Sequence, residues 1–339
     1  RAVYKCYISF VPRTYKKVST PSSLSEIIDN YHNDSELIKT EKVPKDTFEK
    51  KEGQYHSKDR EDFSPKTISG IEIKNTFGIH SFSALSKAHH SAPFEKAELG
   101  TPDNYNQFIF QDLGRGANVG TALHSIFERL DFNDSATWTQ TLADASKYYP
   151  NIIKEESRDL FMQMTKHIMN TEIDCNGEKF ALNKLTNGQK LPELEFCFSM
   201  SKVNKTKINE ILEDEADLNG EADIEGLMAG FIDLLFEHNG KYYILDWKSN
   251  HLGNSTENYN RENLEEAMKG SNYNLQYMIY TIAAKRWLES RIKNFDYDKQ
   301  FGGIIYVFLR GVREGLETGI YTAKPKLEKI ESMEKLLKH

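Results

Sequence analysis

The sequence predicts an α/β fold: a mixed central sheet flanked by helices, with an extended N-terminal tether ahead of it. Residues 230–250, GFIDLLFEHNGKYYILDWKSN, hold two β-prone runs around Asn239-Gly240. A type I′ turn needs positive φ at both central residues, and that dipeptide tolerates it best. Segments of helical period stand before and after this hairpin, and FGGIIYVFLRG at 301–311 is almost continuously apolar, as a strand buried on both faces is. The order helix, strand, hairpin, helix, strand then favours one mixed sheet.

RAVYKCYISFV at the start reads as a strand without an obvious partner, and residues 12–75 are rich in Lys, Glu, Ser, Thr and Asp with few apolar residues in any period. Such a stretch buries too little to fold alone and is expected to be a partly disordered tether. From SFSALSKA (81–88) the chain reads as globular. In GANVGTALHSIFERLDF (116–132), Val119, Leu123, Ile126, Phe127 and Leu130 fall at helical spacing behind a Gly-rich loop, which predicts an amphipathic helix. Two more helices are expected near 135–148 and 152–170. LPELEFCFSM (191–200) alternates Leu194, Phe196 and Phe198 with Glu193, Glu195 and Cys197, the period of a half-buried strand. Residues 201–226 are polar and acidic, a short helix in a surface excursion. After the hairpin come a helix over NYNLQYMIYTIAAKRWLESRI (272–292), the 301–311 strand, and a helix over the last fifteen residues.

A two-residue loop also fixes the register. Paired residue numbers sum to 479, so His238 faces Lys241, Leu235 faces Ile244, and Asp233 faces Asp246. Like charges directly opposite each other destabilise a ladder; one of the two carboxyls is expected to have a raised pKa, and something must offset the repulsion. Lys248 stands two residues beyond Asp246, within diagonal reach of Asp233, and a partly solvated ion-pair cluster is the simplest account. Leu235 and Ile244 on the same face argue that the acids are not in bulk water. A hard divalent cation such as Mg²⁺ favours carboxylate oxygens and removes the repulsion directly. The other face, with Ile232, Leu234, Phe236, Tyr243, Leu245 and Trp247, is a core surface.

Taken singly, the other polar candidates are ordinary. His124 sits at the edge of its helix's apolar stripe with Gly120, Phe127 and Glu128, where a histidine is more often packed than ligating. Glu193 and Glu195 point to one side of their strand. Gln276 and Tyr280, four apart, share a helix face, and a buried tyrosine with a hydrogen-bonded hydroxyl is the usual outcome there. His89 and His90 read as loop residues.

With 339 residues the chain can hold one large domain or two modest ones. It has no run of eighteen apolar residues and no signal peptide, so no membrane span is expected. Cys6, Cys175 and Cys197 are far apart and lack a CxxC spacing, which points away from a disulfide framework or a zinc site and fits a reducing cytoplasm. A net charge of -7 argues against a free-standing nonspecific nucleic-acid binder, which would be basic. The first residue is Arg, the mark of a processed product or a piece of something longer.

Asp233 followed by Asp246-Trp247-Lys248 at the end of a hairpin, with an acid on an earlier strand, resembles the signature of PD-(D/E)xK nucleases. Asp-x-Lys alone is common, but GTALHSIFERLDF, PELEF, GFIDLLFEHNGKYYILDWKSNHLG, NLQYMIYTIAAKRWL and FGGIIYVFLRG resemble, in order, the segments of the nuclease domain of RecB-type helicase-nucleases, over roughly residues 80–320. The resemblance implies a restriction-endonuclease-like core. It makes His124, Asp233, Asp246 and the backbone carbonyl of Trp247 metal ligands, Glu193 (ahead of Glu195) the early acid, Lys248 the catalytic lysine, and Gln276 and Tyr280 residues bordering the DNA path. It implies Mg²⁺, with Mn²⁺ able to substitute because an imidazole ligand suits transition metals. The expected substrates are single-stranded DNA emerging from a helicase and double-strand ends, cut to a 5′-phosphate and a 3′-hydroxyl; the expected partners are RecC and RecD subunits. RAVYKCYI is similar to the end of the last helicase motif in that family, and no GxxxxGK[ST] loop occurs in this chain. Residues 1–75 are therefore expected to be the helicase end plus tether, and 76–339 the nuclease domain. Two other readings compete: a docking module that keeps the fold without the chemistry, and a metal-dependent hydrolase with another substrate. The complete set of His124, Asp233, Asp246 and Lys248 speaks against the first, and the order of the segments against the second.

Overall fold

The computed structural model describes residues 77–82, 103–215, 218 and 224–338. The expected first strand, the 12–75 tether with its boundary, Cys6, His89 and His90 lie outside the described residues. In chain order the elements are β1 (Phe77–His80), α1 (Asn104–Gln107) with a π-helical turn Phe108–Asp112, α2 (Ala117–Arg129), α3 (Trp138–Tyr148), α4 (Arg158–Asn170), β2 (Glu172–Cys175), β3 (Glu178–Ala181), β4 (Lys190–Val203), α5 (Lys205–Leu212), β5 (Ile224–His238), β6 (Lys241–Lys248), α6 (Arg261–Gly270), α7 (Tyr273–Glu289), α8 (Tyr297–Gln300), β7 (Phe301–Phe308), β8 (Ile320–Ala323) and α9 (Leu327–Lys338).

The expected mixed sheet is present. Its strand order is β1-β5-β6-β7-β8, with β4 also paired to β5. β1 runs parallel to β5 and β6 parallel to β7; the other pairs are antiparallel. At the β5–β6 turn, Asn239 and Gly240 have φ of 52° and 76°, the double positive value that the dipeptide was chosen for. The register is the one the turn dictates: His238 pairs with Lys241, Leu235 with Ile244, and Leu234 with Leu245. The same signal, Asn176-Gly177 with φ of 56° and 82°, closes the small β2–β3 hairpin, which the sequence reading missed.

Neighbouring residues on a strand face opposite sides of the sheet. Asp246 pairs with Tyr306 and Trp247 with Val307, so the two faces of β6 can be followed outward to the helices that cover them. On one face Phe127 of α2 stacks on Trp247 with ring centroids 4.8 Å apart, a contact worth about 0.5–1.5 kcal/mol beyond its buried area. On the other face Tyr273 of α7 stacks on Tyr306 at 5.9 Å. The α7 helix is buried along most of its length, packed against β4 and β6 and against the helices α6 and α9.

Arg310 is fully buried and has no carboxylate among its hydrogen-bond partners. Its guanidinium donates to the carbonyls of Ile109 (2.6 Å), Leu113 (3.0 Å), Gly114 and Ser249 (3.2 Å). Four backbone acceptors satisfy a planar five-donor group that could not otherwise be taken out of water. They tie the loop ahead of α2 to the end of β6.

The α7–α9 contact carries a second buried cluster. Glu334 accepts from Arg286 Nε at 2.6 Å and pairs with Lys338 at 3.0 Å and Lys285 at 3.3 Å. Burial pushes its carboxyl up, but the three cations more than reverse this and hold it at about 2. A carboxyl lowered by folding adds stability that is complete above the unfolded value near 4.5 and is lost as the pH falls towards 2. Glu334→Gln is expected to cost roughly 2–3 kcal/mol at pH 7, at about 1.4 kcal/mol per pKa unit less solvent screening, and much less at pH 3. Urea unfolding at the two pH values measures this, and an equal loss at both excludes the ion cluster as its source.

Candidate nuclease site

The β5–β6 ladder ends with Leu234 opposite Leu245, one pair short of the aspartates. Beyond it, Trp247 N–H donates to the side chain of Asp233, at 2.8 Å to Oδ2. The carboxylate thus takes a strand's amide, and the sheet opens where the chemistry-bearing residues stand.

His124 reaches this opening from α2. Gly120, one turn earlier on the same helix face, lets the helix lie close to the end of β6: a Cβ there would meet Ser249 Oγ at 3.0 Å. His124 Nδ1 lies 3.3 Å from Asp233 Oδ2. Burial alone would lower the imidazole pKa, but contact with Asp233 and the nearby charge of Asp246 raise it.

Lys248 and Asp246 are both buried, and Nζ stands 2.6 Å from Asp246 Oδ2. Burial raises the Asp246 carboxyl most; Lys248 pulls it back and Asp233 adds to the rise, leaving it above its usual range. The expected raised carboxyl is therefore Asp246, with burial a larger cause than the facing acid. Lys248 is held cationic: burial is the largest single influence and would lower its pKa, but Asp246, Tyr273 and Asp233 together raise it by more. The angle of the 2.6 Å contact does not make a hydrogen bond, so this Asp246 oxygen is buried without a donor.

These contacts correct one part of the sequence reading. Lys248 serves Asp246 and not its diagonal neighbour Asp233, which has the His124 imidazole beside it instead. The carboxylates are not an unrelieved pair awaiting an ion.

Lys248 Nζ also donates to Gln276 Oε1 at 2.8 Å, and Gln276 Nε2 donates to the Tyr280 hydroxyl at 3.0 Å. Both α7 residues are buried, so the i, i+4 spacing was legible but not that its purpose includes seating the lysine. Glu193 lies level with Asp233, between the pairs Pro192–Leu234 and Leu194–Ile232, whereas Glu195 pairs with Phe231. Its φ of 50° is in the left-handed region, an unusual conformation for a residue with a Cβ, and its charge bears on Tyr280. Sequence reasoning missed Tyr273 and Tyr306, whose rings lie 3.9 and 5.0 Å from Lys248 Nζ; nothing in a linear pattern marks them.

Asp233, Asp246 and His124 supply carboxylate oxygens and an imidazole nitrogen, a donor set that suits a divalent cation. The Asp246 oxygen without a hydrogen bond is a lone pair such an ion can use. As they stand, no three His, Cys, Asp or Glu side chains among the described residues are gathered closely enough to hold one ion. No helix among the described residues is long and apolar enough to cross a membrane.

A buried Asp-x-Lys at the end of a hairpin, an aspartate on the partner strand and flanking helices on both faces define a nuclease of one known class. The chain belongs to the PD-(D/E)XK nuclease superfamily, which it matches over residues 96–338. Within it, the chain is similar to proteins named RecBCD enzyme subunit RecB. It is 32% identical to that of Haemophilus influenzae over 302 residues, 81% of this chain and 24% of the relative. The Escherichia coli protein is 32% identical over 232 residues, 66% of this chain and 19% of the relative, and the Borreliella burgdorferi protein 30% identical over 298 residues, 79% and 24%. The chain thus spans about a quarter or less of the relatives it matches, and what it shares with them is a RecB-type nuclease domain.

Proposed function

We propose that this chain is a Mg²⁺-dependent DNA nuclease, the cutting module of a RecBCD-type helicase-nuclease in double-strand break repair and recombination. The observation that carries the reading is the buried Lys248, held protonated beside Asp246 with Asp233 and His124 adjoining. In this reading the substrates are single-stranded DNA from a helicase and double-strand ends, the partners are RecC- and RecD-type subunits, the compartment is the cytoplasm, and residues 1–75 link the nuclease (76–339) to a helicase region.

Phosphodiester hydrolysis needs an activated water and builds negative charge around phosphorus. Asp233, Asp246, His124 and the Trp247 carbonyl would hold the ion, with Mn²⁺ able to replace Mg²⁺. Bound there, it would polarise a phosphoryl oxygen and lower the pKa of a water. Lys248 carries its proton on Nζ and contributes fixed positive charge towards the developing negative charge. Asp233 keeps β6 in place by accepting the Trp247 amide. Glu193 is the early acid, and Gln276 and Tyr280 border the DNA path.

The test is to incubate the protein with single-stranded DNA and either Mg²⁺ or EDTA. Oligonucleotides with 5′-phosphates are expected with the metal only. Intact DNA with both Mg²⁺ and Mn²⁺ would instead favour the catalytically silent docking module.

A further inference from the structure

Lys248 Nζ can donate hydrogen bonds but not accept them, and three neighbours surround it. Asp246 Oδ2 is at 2.6 Å, Gln276 Oε1 at 2.8 Å, and the face of Tyr273 at 3.9 Å from its centroid. A cation over an aromatic face in a buried site is attracted to the ring. Each neighbour is itself held. The Tyr273 hydroxyl donates to Asn250 Oδ1 at 3.1 Å, and its ring stacks on Tyr306. Gln276 Oε1 accepts a second donor, the hydroxyl of Tyr306, at 3.1 Å, while its Nε2 donates to Tyr280. Since Lys248 can only donate, Oε1 must face it, and the Tyr306 hydroxyl fixes where that oxygen stands.

Tyr306 is fully buried and is the β7 register partner of Asp246. A hydroxyl in a strand core is costly unless bonded, and a phenylalanine would fill the same volume without that cost. The hydroxyl is accounted for by what it touches: its other near neighbour is the Tyr273 carbonyl at 3.5 Å, the backbone of the residue whose ring bears on the lysine.

We propose that Tyr306 is a positioning residue for Lys248, acting through Gln276 and Tyr273 to fix the ammonium in a three-sided seat. This rests on the reading of Lys248 as the lysine of a nuclease. Tyr306 is fully buried and meets the lysine's neighbours with its hydroxyl. Its hydroxyl sets the amide, the amide and the Tyr273 ring set Nζ, and Nζ meets the developing charge. Reacting groups displaced by an ångström can lose about 10²-fold in rate, so a hydroxyl two contacts away can matter without changing DNA affinity.

The experiment is a double-mutant cycle with Tyr306→Phe and Gln276→Ala, read in single-turnover cleavage of single-stranded DNA with Mg²⁺. Tyr306→Phe is expected to lower the cleavage rate about ten- to hundredfold with KM for DNA unchanged, and to have a clearly smaller effect in the Gln276→Ala background, where only the route through Tyr273 is left. A wild-type rate in Tyr306→Phe, or an equal loss with and without Gln276, overturns the proposal. A second readout does not depend on cleavage. In ¹⁵N-lysine spectra of the metal-free protein, the seated ammonium should give a slowly exchanging signal that is absent from Lys248→Arg. That signal should shift or broaden in Tyr306→Phe; an unchanged signal overturns the seat. A wild type that does not cut but shows this behaviour would remove the nuclease reading and leave the seat standing.

Discussion

Lys248→Ala leaves DNA uncut: the expected fall in cleavage rate is at least about 10²–10³, the usual loss when one preorganised group acting on developing charge is removed. The second expected effect is on the fold. Asp246 would be left buried with no cation, and breaking a buried pair costs about 3–5 kcal/mol. A carboxyl already raised by burial has an escape, because it can take up a proton. A carboxyl whose folded pKa is above its unfolded value loses stability as the pH rises through the interval between them. The metal-free variant should therefore approach wild-type stability at pH 5 and fall well short at pH 8. Chemical unfolding in EDTA at both values measures this, with Lys248→Gln as a bulkier control. Cleavage at the wild-type rate would remove Lys248 from the mechanism; a deficit independent of pH would mean that Asp246 does not take the proton.

Asp246→Asn is expected to abolish cleavage and the stabilisation by metal together. Wild type should gain about 2.7 kcal/mol at a free Mn²⁺ concentration a hundredfold above Kd, seen as a higher melting temperature, and the variant should gain almost nothing. From the register alone, deleting one of two facing charges would relieve the metal-free protein. The geometry reverses that sign. Lys248 is buried against Asp246, and a lysine whose folded pKa is raised adds stability that is complete below the unfolded value near 10.5 and is lost only as the pH passes above it. At pH 7 that whole contribution is forfeited, so the metal-free variant should be less stable than wild type by about 3–5 kcal/mol. Melts of both proteins with EDTA and with Mn²⁺ decide it. A variant that keeps the full metal-induced shift would place the ion elsewhere.

The parts of the site that sequence made legible are those that local rules dictate. Asn239-Gly240 sets the register, the register brings Asp233 and Asp246 to one level, and helical spacing puts His124 beside Phe127. The β4 alternation likewise matches its burial, with Leu194, Phe196 and Phe198 half-buried between exposed Glu193, Glu195 and Cys197. Elsewhere the deciding partner is remote. The strand Phe77–His80 finds its place by pairing with residues 225–228, and Ile320–Ala323 is recognisable only against β7. Gln276 read as half of an i, i+4 pair because its third partner, Lys248, is on another element. The acids read as mutually repelling because a register shows which residues are level but not which side chain, Lys248 or His124, has turned towards each.

Arg310 adds a constraint in time. The carbonyls it gathers ahead of α2 precede it by 201, 197 and 196 residues. On a ribosome, the loop that launches the helix of His124 is made long before the side chain that fastens it. Through most of synthesis the histidine and both aspartates can exist without a fixed relation to one another. Contacts of such sequence separation form slowly, because the closure of a long loop must come before any contact can reward it. The loop that launches the helix of His124 is thus fastened only after the strand that carries Asp246 and Lys248 has been made and Arg310 has followed it.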